Sequence, residues 1–256
     1  MGLRTAIPLA ILLLALGLGA VSQAEVEQRG NLRVSFDADF VPNKLPRHRA
    51  APVKVKIEGR IKTLDNTHPP SLRWLEVEIN RNGRLSTEGL PTCSAALLQS
   101  TSTQTALARC GPAQVGRGSF QASVSLGREI ASSGKILAFN GLRGGKQALL
   151  LHLFAAVPVR FTLVVPMTIG HREKGEFGTV LRAQIPRIGG ITSVTHIGLT
   201  IGRRYTVNGE RRSYVSAACS APPGFPGAAF PFARGKFRFE GNPQIRTTLI
   251  RDCLVR

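Results

Sequence analysis

Acidic side chains are scarce in this 256-residue chain: four Asp (Asp37, Asp39, Asp65, Asp252) and eleven Glu, 15 in all, against 34 Lys and Arg. So few carboxylates leave little for paired-carboxylate chemistry or for an acidic metal loop, and with 19% charged residues a coiled coil is excluded. Trp74, Tyr205 and Tyr214 are the only Trp and Tyr residues, so the aromatic platforms of a polysaccharide binder are missing, and Trp74 is expected in the core. The five histidines, His48, His68, His152, His171 and His196, never fall at HxH, HExxH or CxxH spacing, and no GxSxG elbow occurs. Gly141 to Gln147 imitates a phosphate loop, but its spacing is short and Gln147 stands where a magnesium-binding hydroxyl belongs, so a hairpin turn is expected. Asp37 and Asp39, two apart on one strand face, are the best local carboxylate pair. A calcium ion needs six or more oxygens, which no Asp/Asn-rich loop supplies, and a solvated strand edge is the simpler reading. The sequence therefore offers no catalytic residue, no cofactor site and no metal site.

Long apolar runs are confined to the N-terminus. Met1 to Arg4 is cationic, Ala6 to Gly19 apolar, and Ser22-Gln23-Ala24 places small residues before Glu25, the pattern of a secretory signal peptide cleaved after Ala24. The run is shorter than the roughly 20 residues that cross a bilayer. Further on, the most apolar stretch is Ala148 to Val159, interrupted by His152 and closed by Pro158. A secreted or cell-envelope protein is expected.

Four cysteines in an exported chain read as two disulfides, with three pairings open. Nearest-neighbour pairing, Cys93 with Cys110 and Cys219 with Cys253, is expected because each pair brackets a self-contained segment. A zinc site would need a CxxC or a His pair, and neither is present. Between Cys93 and Cys110, Thr92 and Thr103 are placed to cap two short antiparallel helices, with Gly111 closing the second at positive φ.

What remains is strand-like. Val53, Val55 and Ile57 alternate with Lys54, Lys56 and Glu58; Leu75, Val77 and Ile79 with Glu76, Glu78 and Asn80; Phe237 and Phe239 with Lys236, Arg238 and Glu240. Period-two alternation puts the apolar set on one sheet face. Asn82-Gly83, Asn140-Gly141 and Asn208-Gly209 suit type I′ turns, the last within a hairpin from Arg204 to Arg212. The expected fold is an all-β antiparallel sandwich, Ig-like or jelly-roll-like, with a disulfide-tied helical hairpin at about 92–111. One domain over 25–256 is expected, with two stacked halves meeting near 155–160 as the alternative.

The abundance is positive charge: +19, or 33 basic against 15 acidic residues once Arg4 leaves with the signal peptide. Lys54, Lys56, Arg60 and Lys62, with Arg203, Arg204, Arg211 and Arg212, are the candidate surface for an anionic envelope polymer or a phospholipid surface; specific nucleic-acid binding is not expected. Because 26 of the 34 are Arg and most are dispersed, solvated strand faces stand as the competing reading. A non-enzymatic binding or structural module is the leading expectation. The alternative is an extracellular hydrolase or carbohydrate-active enzyme whose site is assembled from scattered residues.

Gly89-Leu90-Pro91-Thr92-Cys93, Ala106-Leu107, Cys110-Gly111-Pro112-Ala113, Val115-Gly116 and Gly118 together resemble a pattern in secreted β-rich proteins of actinobacterial type. Ala138 to Gly141 and Ser213 to Pro222 extend the similarity, which runs from about residue 45 to the C-terminus. It implies export and a shared β fold, and carries no activity, ligand or cofactor.

Overall fold

Alternation of apolar and polar residues, repeated along most of the chain, builds one large sheet whose apolar face must turn inward. The computed structural model describes residues 24–125, 127–158, 160–186 and 192–256. Apart from Ala24, the expected signal peptide lies outside them. The strands are β1 (Glu25–Arg29), β2 (Leu32–Val41), β3 (Lys44–Leu45), β4 (Ala51–Pro52), β5 (Lys54–Thr63), β6 (Leu72–Asn80), β7 (Gly83–Leu85) and β8 (Cys93–Ser94). Helices α1 (Ala95–Leu98) and α2 (Thr103–Cys110) and a 3-10 turn at Gly111–Ala113 follow. Next come β9 (Gln114–Ser125), β10 (Glu129–Arg143), β11 (Lys146–Ala155), β12 (Phe161–His171), β13 (Phe177–Gln184) and β14 (Thr192–Ile201). The chain ends with β15 (Arg204–Val207), β16 (Glu210–Ser213), β17 (Val215–Ala217), β18 (Gly227–Phe239) and β19 (Gln244–Val255).

The main sheet has 14 strands in the order β1-β2-β5-β14-β9-β10-β11-β12-β13-β6-β18-β19-β3, with β8 added beside β10. Only the short β3 and β8 pair in parallel. The all-β antiparallel class with its disulfide-tied helical insert is as expected, and the facing layers are two halves of one curled sheet. β11 and β12 pair as an antiparallel hairpin whose ladder runs from Ala155↔Phe161 upward.

The curl brings β1 and β2 against β19. Among the described residues no ladder joins them, and side chains make the seam. Arg251 is nearly buried, donates Nε–H to Ala38 O at 2.9 Å and is salt-bridged to Asp37. Arg29 reaches Gln244 O at 3.0 Å. Phe36 packs edge-on against Phe237, and Phe40 against Phe232, with centroids 5.7 and 5.1 Å apart. Asp37 therefore serves the seam, and Asp39 accepts from Phe40 N–H at 2.7 Å. β14 approaches β9 so closely at Gly118 that a methyl there would sit 1.9 Å from Gly198 O.

β11 from Ala148 and the facing part of β10, residues 136–141, are buried on both faces, which explains the continuous apolar run from Ala148. Ile136, Ala138, Leu149, Leu151 and Leu153 join the main core; Leu137, Phe139, Ala148 and Leu150 pack under the helical insert against Leu98, Ala106 and the Cys93–Cys110 disulfide. Both disulfides pair as expected, each with Cα atoms 5.6 Å apart.

Three local expectations need correction. Asn140-Gly141 is not a turn but lies inside β10. Asn140 donates to Pro91 O at 3.1 Å, and a Cβ on Gly141 would meet Cys93 O at 2.6 Å, so both residues serve to dock the insert. The turn falls instead at Gly144 and Gly145, both at positive φ. The helix caps are Ser94 and Ser102, not Thr92 and Thr103, and Gly111 is right-handed helical at φ −50, running on into the 3-10 turn with Pro112. Asn82 lies in the turn after β6 and Gly83 opens β7, neither at positive φ, while Asn208 and Gly209, at φ +50 and +80, make the expected hairpin turn.

Candidate binding cavity

Inside the curled sheet the apolar side chains do not fill the space. A barrel of about eight strands is just wide enough for side chains to close its interior, and the diameter grows with strand number. Here more strands than that leave a cavity of about 220 Å³. Its wall is aliphatic, with Val55, Ile57 and Ile61 from β5, Leu75, Val77 and Ile79 from β6, Leu151 and Leu153 from β11, Leu163, Val165 and Met167 from β12, and Ile197, Leu199 and Ile201 from β14.

Burial runs opposite to the usual order on β6. The inward Leu75, Val77 and Ile79 keep partial accessibility, whereas the outward Glu76 and Glu78 are 4% and 0% exposed. Those carboxylates lie beneath a layer of cations from neighbouring strands. Glu76 pairs with Arg182 and Lys236 at 2.6 Å each, and Glu78 with Arg172, Arg234 and Lys236. Burial works to raise the Glu76 pKa, but hydrogen bonds from Lys236 and Arg182 outweigh it and hold the group below the ordinary carboxylate value. Alternation identified these two glutamates as the polar face; it carried no sign that the cross-strand partners Arg182, Lys236 and Arg234 would cover them. Trp74 is on this outer face too, under the Arg238 guanidinium at 5.3 Å, and not in the core as expected, because it shares the register of Glu76 and Glu78.

Polar lining gathers at one end of the cavity, where β6 and β14 begin and β5 ends. Ser71, Arg73, Thr192 and Thr195 are found there, while Ser35, Arg60 and His196 border it as one cross-strand row whose side chains belong to the outer face. Arg73, left unpaired where the β6–β18 register shifts, is a lining residue and pairs with Glu240 at 3.0 Å. Arg60 and His196 are direct cross-strand partners. The Nε2 atom of His196 is buried without a hydrogen-bond partner among the described residues. At the other end the small sheet β4-β17-β7 crosses beneath the barrel, with Val215, Ala217 and Tyr214 buried and Arg84 as the charged lining residue. No Asp or Glu is among the lining residues.

The basic residues singled out from the sequence fall into two groups. Lys54, Lys56, Arg60 and Lys62 share the outer face of β5 and are exposed, but Glu58 stands among them 3.3 Å from Lys56, and Asp37 and Asp39 of β2 lie alongside. Arg203, Arg204, Arg211 and Arg212 belong to the β15–β16 hairpin and its approach. Arg203 donates to Gln114 O at 2.9 Å, Arg212 pairs with Glu88 and Glu210, and Arg204 and Arg211 are exposed. Of all these, Arg60 alone borders the cavity, through a position whose side chain faces outward.

No protein-family model matches the chain, and no curated protein or solved structure matches it significantly. The two disulfides are those of a chain folded under oxidising conditions, and no helix among the described residues is long and apolar enough to cross a membrane.

Away from the cavity, two histidines are engaged. His68 Nδ1 and the Ser123 hydroxyl both bond to Glu129 Oε2, the His68 contact at 2.9 Å. The carboxylate thus lies between serine and imidazole, whereas a serine nucleophile requires the imidazole between. His152 is fully buried beneath the insert, and its Nε2–H donates to Thr101 O at 3.1 Å. Loss of hydration lowers its pKa, outweighing the opposing hydrogen bonds to backbone. The unfolded chain therefore takes up a proton, as pH falls through about 6.5, that the folded chain declines. Melting temperature should fall between pH 7.5 and 5.5 with a slope that His152→Gln reduces; an unchanged slope would assign it to other groups.

Proposed function

We propose that this chain is an exported, non-enzymatic binding protein that holds an aliphatic chain inside its barrel. The observation that carries the reading is the unfilled cavity of about 220 Å³ behind a wall of Val, Ile and Leu. Protein interiors pack to crystal-like density, and an apolar void of about 150 Å³ already stays dry and accepts benzene. Holding a larger one open forfeits dispersion contacts that an apolar occupant restores. Lining residues without a carboxylate favour binding over hydrolysis.

The outer cations are consistent with loading from an anionic surface, the phospholipid face of an envelope included. Around Glu76 and Glu78, the side chains of Arg172, Arg182, Arg234 and Lys236 exceed the carboxylates they cover, and Arg238 and Arg246 extend the same face. A patch of this kind attracts anions at a distance and is screened by salt.

The test uses a neutral probe, so that the outer charge plays no part. Diphenylhexatriene titrated into the purified protein should give a fluorescence increase that saturates at one probe per chain and is displaced by hexadecan-1-ol. A rise that never saturates, or none at all, would overturn the reading.

A further inference from the structure

Two acids beneath four bases leave a surplus of positive charge on the outer wall of the sheet. We infer that this wall carries a binding site for a phosphate monoester, formed by Arg172, Arg182, Arg234 and Lys236 above Glu76 and Glu78. The site faces away from the cavity, and the inference goes beyond the proposed binding of an aliphatic chain without resting on it.

Strand register assembles the cluster. Arg182, Glu76, Lys236 and Arg246 stand directly opposite one another on β13, β6, β18 and β19, and Arg234 stands opposite Glu78 in the next row. Glu76 and Glu78 are two residues apart on one strand and so share the outer face, where they hold their cations in common. Lys236 Nζ lies 2.6 Å from Glu76 and 3.3 Å from Glu78, and Arg172, just past the end of β12, reaches both carboxylates as well. Arg234 is fixed a second time, with its guanidinium carbon 4.2 Å from the centre of the Phe177 ring. Four cationic side chains are thereby gathered around two adjacent carboxylates and oriented before any ligand arrives.

Exposure and charge decide what fits there. Glu76 and Glu78 are 4% and 0% exposed, whereas the side chains of Arg172 and Arg182 are 40% and 46% exposed, so an outside molecule meets the cations and not the acids beneath. Once each carboxylate has offset one cation, two positive charges remain, and a phosphate monoester carries about −1.5 to −2 at pH 7. No other Asp or Glu occurs on β6, β13 or β18, and Arg238 and Arg246 continue the positive face. On the β15–β16 hairpin the balance runs the other way, one Arg212 being shared by Glu88 and Glu210. Hydrogen-bonding capacity is left over too. Arg182 gives Glu76 its Nε–H, and Arg234 gives Glu78 an N–H of one terminal nitrogen, so the remaining edges of both forks are open to phosphate oxygens. Arginine suits the role because its planar fork meets phosphate through two parallel hydrogen bonds.

The experiment is calorimetric titration of the purified protein with glycerol phosphate, a dianion, and with dimethyl phosphate, a monoanion, neither of which has a tail to enter the cavity. Glycerol phosphate should bind at one per chain and at least about tenfold more tightly than dimethyl phosphate. R172Q and R182Q should each weaken it about tenfold, while R60Q, which removes the same charge from the outer face of β5, should change it less than about twofold. Both glutamates keep Lys236 in either variant, and Arg172 lies beyond the strand end, so R172Q keeps the test readable if R182Q folds poorly. Sedimentation with phosphatidylcholine vesicles containing phosphatidate or phosphatidylglycerol separates the sources of the phosphate. Preferential capture by phosphatidate places it on a lipid, and glycerol phosphate binding without that preference places it on a soluble molecule. Equal affinity for the dianion and the monoanion, no binding of either, or equal losses in R60Q and R182Q would overturn the site and leave aliphatic binding intact. Failure of diphenylhexatriene to bind, with glycerol phosphate still bound, would overturn the proposed function alone.

Discussion

Replacing Gly59 by phenylalanine should leave the fold intact and close the cavity to ligand. Gly59 lies on β5 between Phe36 and Ile197, all three on the inward face, and a Cβ built on it meets nothing within 4 Å. Its φ is not in the positive range, so a larger residue needs no new backbone conformation. The new ring would enter empty apolar space between Phe36 and Ile197. Burying such a side chain is worth about 1.5–3 kcal/mol relative to exposure, and removing a strand glycine adds about 0.5–1 kcal/mol. Stability in denaturant titration should therefore stay level or rise, while affinity for diphenylhexatriene falls more than tenfold. Overpacking a filled core costs about 1–3 kcal/mol instead. A loss of that size, or binding that survives, would show that the interior is not the open volume described. Gly118→Ala provides the contrast, since its methyl would lie 1.9 Å from Gly198 O and should damage the fold.

Loss of the Cys219–Cys253 disulfide should give the largest stability change. The bridge spans 34 residues and ties the segment after β17 to the end of β19, next to the seam where the sheet closes. Both sulfurs are buried in the main core. Loop-closure entropy alone gives about 4 kcal/mol for a loop of this length. The Cys219→Ala/Cys253→Ala variant should lose about that much of its unfolding free energy, and its spread should exceed that of Cys93→Ala/Cys110→Ala, whose loop spans 17 residues and whose core is the smaller one under the insert. An equal or reversed ranking would mean that the seam is held chiefly by Arg251, Asp37 and the Phe36–Phe237 contact.

Much of the framework was legible along the chain. Leu75, Val77 and Ile79 against Glu76 and Glu78 predicted a two-faced strand, and nearest-neighbour brackets predicted both disulfides, because each partner lies within the same local excursion. β1 was missed because Glu25–Arg29 has a single apolar residue, Val26, and pairs with β2 through its backbone. Asn140-Gly141 was misread because turns and tight docking both favour small or amide side chains, and sequence does not distinguish them.

The cavity was another matter. The sequence by itself determined which side chains share a face, since that follows from the two-residue period of a strand whatever lies opposite. It could not determine how far away the opposite wall stands. That distance depends on how many strands join one sheet and how they curl, which is decided by pairings between residues more than a hundred positions apart, such as Leu75 with Ala183 and Phe237. Only the tertiary structure therefore decided that Val77 faces open space and that Glu78 is sealed beneath cations.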